Sequence, residues 1–315
     1  MDIKDLAGLS QPLTKLIEVL SSGMGAIYRP IGIRREAEAH ADATRLLGAA
    51  QLEVDVTRAH AIAVTDASNK LVLAEANVQI EERAQARLQY REVRRQENLE
   101  AIAEAAVSHL PEQVSSTTVD EDWKTRFFNI AEDVSNTEMQ DLWGKILAGE
   151  VARPGTYSVR TLENLRNLSQ CEAEAFQKLR YLALDVGHVL KVGGETHFKE
   201  FGLTFNDILS LREAGILADG DMLSLELTFT DDKPFFVLAY NGKGLLIETP
   251  NVEMKTLTLD SLVLTEVGRQ LLSLIEPQPN TEYLRKMAAA NKDKAKFYFG
   301  APGSPRETFE KFSPD

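Results

Sequence analysis

The residues able to do chemistry are few, and their spacing is not that of a catalytic site. Five histidines (His40, His60, His109, His188 and His197) are scattered along 315 residues, and no His-Glu-x-x-His run joins them. His188 and His197 flank a Lys-Val-Gly-Gly-Glu turn and could approach each other. Two imidazoles still fall short of the three protein ligands that a catalytic zinc requires. The lone cysteine, Cys171, lies in SQCEAEAFQKL at what reads as a helix start. It can close no intrachain disulfide and build no thiolate cage, and it reads as a small, partly buried side chain. Gly193-Gly194 and Gly242-Lys243-Gly244 lack the flanking residues of a phosphate-binding loop and read as turns. The paired acids Asp120-Glu121-Asp122 and Glu132-Asp133 could in principle run acid–base chemistry. Near helix ends, the same residues cap backbone N–H groups and complement the helix dipole, which is the simpler reading. No catalytic residue, cofactor or metal is therefore assigned, and the chain reads as an interaction protein rather than an enzyme.

Other groups suit binding. Trp123 and Trp143 sit at core spacing on helices, with an anchor for a protein partner as the alternative. Lys292, Lys294 and Lys296 precede Phe297-Tyr298-Phe299, and bases beside aromatics can grip single-stranded nucleic acid. The net charge of −13 opposes that reading, because phosphate backbones repel an acidic chain unless a local basic patch exists.

Several elements must position these groups. Over residues 3–28, Leu6, Leu9, Leu13, Leu16, Ile17, Leu20 and Met24 recur at helical spacing. The stripe suits packing on the protein itself or on a sister subunit, with peripheral membrane contact as the alternative. Between Pro30 and Pro111 there is no proline and only two glycines, Gly32 and Gly48, and strong helix formers dominate. Leu47, Ala50, Val54, Ala61, Val64, Leu71 and Val78 follow a 3-4 alternation, a heptad-type seam for oligomerisation. Apolar residues then thin out from Ile80 to Asn98, where EERAQARLQYREVRRQEN must be solvated or paired with charges. The arm is either one rod or a hairpin turning at 65–70. Short loops between WKTRFFNIAEDV, TEMQDLWGKILAGEV, TYSVRTLENLRNLS and CEAEAFQKLRYLALD predict a helical bundle. Farther on, PFFVLAYNGKGLLIETP predicts a hairpin, because Asn-Gly is the strongest two-residue turn signal.

The run DEDWKTRFFNIAEDVSNTEMQDLWGKILAGEVARPGTYSVRTLENLRNLSQCEAEAF, with RRQEN just upstream and LTFNDILSLREAGIL and LTEVGRQL downstream, resembles a bacterial family of unknown function, number 2806, over about 95–290. Residues 8–39, with the Glu138, Gln140, Leu142, Trp143, Ile146, Leu147 pattern, look like abortive-infection alpha-type proteins. The pattern departs from theirs at Ile146. The likeness implies a bacterial or prophage setting and phage defence, and the larger family lends no catalytic residues.

The expected architecture is mainly α: an amphipathic helix (1–30), a long polar helical arm forming a coiled coil or helical hairpin (31–110), a helical bundle (111–184), an α+β winged-helix-like module with a β-hairpin (185–300) and a flexible tail (301–315). The expected protein is a cytoplasmic homo-oligomeric scaffold or sensor, with peripheral membrane contact through 3–28 left open. No stretch is apolar enough to span a membrane, and the acidic start MDIKDLAGLS is unlike a secretion signal. A protein partner fits this reading. Nucleic-acid binding through the 201–299 region and membrane action through 3–28 are the alternatives.

Overall fold

Side-chain caps set where most helices begin. Asp120 accepts from the Trp123 N–H and opens one helix, and Asn136 accepts from Met139 N–H and opens the next. Ser169 with Glu172, and Thr204 with Asp207, form reciprocal capping boxes. A computed structural model describes residues 10–24, 68–193, 195–220, 222–249 and 256–311, with backbone alone for 68–77 and 195–197. Nine α-helices lie among the described residues: α1 (Gln11–Met24), α2 (Ser68–His109), α3 (Glu121–Ala131), α4 (Thr137–Ala152), α5 (Val159–Asn167), α6 (Gln170–Arg180), α7 (Phe205–Glu213), α8 (Glu266–Leu272) and α9 (Thr281–Ala290). Seven strands accompany them: β1 (His188–Leu190), β2 (Ser224–Thr228), β3 (Phe235–Tyr240), β4 (Lys243–Glu248), β5 (Thr256–Val263), β6 (Lys296–Gly300) and β7 (Glu310–Lys311).

The chain divides into two compact units, residues 1–155 and 156–315. The helices read in the sequence as one bundle over 111–184 are shared between them, and the Pro154-Gly155 turn marks the passage.

The first unit packs α1, α3 and α4 with the C-terminal part of α2. Leu16, Ile17, Val19 and Leu20 are buried, so this stretch of α1 spends its apolar face on the unit's own core. Phe127 stacks on Trp123 at 5.0 Å between ring centroids and meets Trp143 at 5.3 Å. Leu99, Ile102, Ala103 and Ala106 bring α2 into the same core. α4 comes so close to α2 that a Cβ on Gly144 would stand 2.6 Å from the Ala105 Cβ. Only glycine permits that approach.

The second unit carries two antiparallel sheets. One has the order β1-β5-β2, the other β3-β4-β6-β7. β5 alternates buried Leu257 and Leu259 with exposed Thr256, Thr258 and Asp260, the period-2 pattern of a strand with one face in the core. The expected hairpin is β3–β4, closed at Asn241 (φ 47°) and Gly242 (φ 77°), and it belongs to the four-stranded sheet. The Asn241 side chain adds a role the turn signal does not reveal. It is buried and donates to the Arg180 and Tyr181 carbonyls, tying the hairpin to the end of α6.

The tail differs from its expectation of fraying. β7 pairs with β6, and Phe309 is buried over Gly244 and Gly300, which face each other across β4 and β6. A Cβ on either glycine would lie 2.9 Å from the Phe309 ring. The aromatic ring fills a slot that the two glycines leave open, which the Pro/Ser-rich composition conceals.

Candidate functional site

The most distinctive surface is α2. From Val78 to Arg94 every side chain is exposed, whereas Asn98, Leu99, Ile102, Ala103 and Ala106 are buried. A polar knot stands at the change. Arg95 reaches Glu132 and Asp133, each at 3.2 Å, and Glu92 at 3.4 Å. These carboxylates favour its charged form against a desolvation cost that is the largest single influence, and the net direction is upward. Asn98 donates to the Glu132 carbonyl at 2.8 Å, and Gln140 donates to Asn98 Oδ1 at 3.3 Å and to the Val134 carbonyl at 3.0 Å. At the far end of the docked part, His109 Nε2 lies 2.7 Å from Asp141 Oδ1, and Lys145 lies 3.3 Å from Asp141 Oδ2. The hydrogen bond from His109 holds the Asp141 carboxyl below its ordinary range. Two clamps thus frame Leu99, Ile102 and Ala106, and the helix continues beyond them into solvent.

The residues singled out for binding fall in several places. Leu47, Ala50, Val54, Ala61 and Val64 lie outside the described residues. Leu71 is on α2, without a described side chain, and Val78 is exposed. Trp123 and Trp143 are 3% and 0% exposed, so they hold the bundle together and offer no surface to a partner. The indole N–H of Trp143 has no hydrogen-bond partner there. Lys292, Lys294 and Lys296 are exposed at the α9–β6 turn, but Phe297 is turned into the core and is not free to stack. Cys171 is exposed, contrary to its expected partial burial.

No catalytic constellation emerges among the described residues, and no three of His, Cys, Asp and Glu gather as metal ligands. His40 and His60 lie outside the described residues. His188 Nδ1 lies 2.9 Å from Ser261 Oγ, and burial, then the Arg269 charge, lowers its pKa. Tyr240, pushed up to about 12 by burial, donates to the Tyr181 carbonyl, and the fully buried Tyr283 donates to the Leu190 carbonyl. These groups fasten secondary structure. A groove of about 230 Å³ is lined by Leu246, Tyr298, Arg306, Glu307 and Phe309. Glu248 beside it accepts from Tyr298 at 3.1 Å and pairs with Arg306. The groove is smaller than the ~300–1,000 Å³ of ordinary ligand pockets.

Residues 82–288 match the family described as Protein of unknown function (DUF2806), and the chain belongs to that family. The match begins within the exposed part of α2, thirteen residues before the Arg95 that the sequence resemblance reached, so most of this surface lies inside the family domain. No curated protein and no solved structure matches the chain. No helix among the described residues is long and apolar enough to cross a membrane.

Proposed function

We propose that this protein acts by binding, as a self-assembling scaffold built on its long helix. The observation that carries the reading is the exposure of residues 78–94 on a helix that buries Asn98, Leu99, Ile102, Ala103 and Ala106. Nearly five turns, by ~3.6 residues each, extend past the last residue that their own unit buries. Isolated helices of about this length are marginal in water, so a helix held in the open gains its stability from what docks on it. The 3-4 seam through Leu47, Ala50, Val54, Ala61, Val64, Leu71 and Val78 supplies a surface for a coiled coil with a second copy. Truncation is the wrong test, because α1 and residues 99–106 both belong to the core. Light scattering on the full chain should instead report an oligomer, and Val54→Glu with Val64→Glu should lower its mass to that of a monomer. A monomeric wild-type chain at micromolar concentration removes the reading. The phage-defence setting rests on the likeness of 8–39 and is tested by plating efficiency with and without the gene.

A second reading has its own support. In the second unit, β1, the 3-10 turn Glu195–Phe201, α7, β2 and β5 follow one another, and the sheet order is β1-β5-β2. That order favours a winged-helix module, with the β3–β4 hairpin inserted where the wing would be. The outer face of α7 presents Phe205, Asn206, Leu209 and Glu213, and Arg212 donates to the Gly220 carbonyl. An apolar and acidic face suits a protein partner better than phosphates. Leu209→Lys, which adds a base there, should create no DNA affinity. A salt-sensitive DNA complex of the wild type that Asn206→Ala abolishes would point instead to a reading helix.

A further inference from the structure

Residues 78–95 of α2 contain five arginines and no lysine: Arg83, Arg87, Arg91, Arg94 and Arg95. Arg95 is committed to the knot with Glu132 and Asp133. The other four are phased. At ~100° per residue, Arg83, Arg87, Arg91 and Arg94 fall with Tyr90 inside a sector of roughly 100° along about 16 Å of helix. Glu81, Glu82 and Glu92 all fall on the far side of the helix, about 130–150° from the sector's centre at ~100° per residue. Glu97 lies near the sector's edge, a turn beyond Arg94 at the docked end. Among the described residues, the only carboxylate within salt-bridge reach of these four is Glu92, 3.7 Å from Arg91, and Arg83 donates to the Gln79 carbonyl of its own helix. Tyr90, at one edge of the sector and between Arg87 and Arg91 along the axis, is 67% exposed.

We propose that this arginine face binds the phosphate backbone of single-stranded nucleic acid, with Tyr90 stacking on a base. It goes beyond self-assembly and supplies the local basic patch that an acidic chain needs in order to meet phosphate. Arginine in place of lysine matches the planar, bidentate geometry of phosphate oxygens. An aromatic ring between the bases adds a sequence-tolerant platform for an unpaired base. Other occupants fit less well. A two-fold contact with a second copy through this face would set arginine against arginine. A membrane surface requires an apolar face that this sector lacks.

The test is fluorescence anisotropy of labelled oligouridylate and oligothymidylate with the full-length protein across a salt series. Four neutralised phosphates give a slope of log affinity against log salt near −3, at roughly 0.7 per phosphate. Arg87→Glu with Arg91→Glu should cost at least tenfold in affinity, and Tyr90→Ala about tenfold with an unchanged salt slope. Lys292→Glu, Lys294→Glu and Lys296→Glu together should change nothing. Should the charge reversals reduce helix content by circular dichroism, Arg87→Gln with Arg91→Gln replaces them and should still weaken binding. No binding at low salt overturns the proposal, as does affinity that these variants leave intact. Polyglutamate bound as tightly as the oligonucleotides would point to an acidic protein and overturn it too. A duplex bound as well as single strands, with Tyr90→Ala silent, overturns the single-strand assignment. Light scattering on the same variants should show an unchanged oligomeric mass, so this surface and self-assembly can fail separately.

Discussion

Residues 98–109 and residues 78–94 belong to the same helix, yet the two parts obey different rules. The docked part buries Leu99, Ile102, Ala103 and Ala106 against α4 and is clamped by Arg95 at one end and His109 at the other. Its residues are chosen by shape, and α4 meets them without a side chain at Gly144. In the exposed part, charge and phase matter and shape does not: four arginines share a face, while Leu88 and Tyr90 stand in solvent. A continuous backbone can therefore pass from core to surface with no break in the helix. The change is made by side chains alone, at the knot of Arg95, Asn98, Glu132 and Gln140.

Substitutions should separate the two parts by magnitude. The largest effect is expected on the docked side, where Trp143→Ala should destabilise the first unit by about 3–5 kcal/mol in urea titration, as for other large-to-small core changes. Next is Gly144→Val, whose side chain has no space against Ala105 and should cost about 1–3 kcal/mol by thermal or urea unfolding. The smallest is a pH effect at the far clamp. Asp141 has its pKa depressed by His109, so its contribution is present above the ordinary carboxylate value near ~4 and is lost as pH falls through the lower folded value. Asp141→Asn should flatten that acid limb of the stability curve. None of the three should alter binding to the exposed arginine face while the unit stays folded.

How much of this was legible in the sequence depends on which signal carried it. The cap at Asp120 is plain in the sequence, one residue before its helix, and Asn241-Gly242 announces its hairpin. β5 alternates faces in TLTLDSLV, but the helical periodicity on either side of it is the stronger signal. The docking of Phe309 was illegible, since it depends on two glycines 56 residues apart meeting across a ladder. The unit boundary at 155 shows in the sequence only as a turn, because side-chain periodicity says which face is buried and not against what. The arginine face was hidden for a simpler reason. Residues 80–98 register as nearly devoid of apolar side chains, and helical phase is usually sought in apolar residues; the same 3.6-residue period applied to charge reveals it.

Paired urea unfolding of Ile102→Ala and Leu88→Ala tests the division of α2 most directly, since both truncate a large aliphatic side chain on one helix. Ile102 is 1% exposed and Leu88 is 52% exposed. The account predicts a loss of about 2–5 kcal/mol for Ile102→Ala and a change within roughly 0.5 kcal/mol for Leu88→Ala. Equal losses at the two positions would contradict it, because residues 78–94 would then be part of the folded core rather than a surface held open for binding.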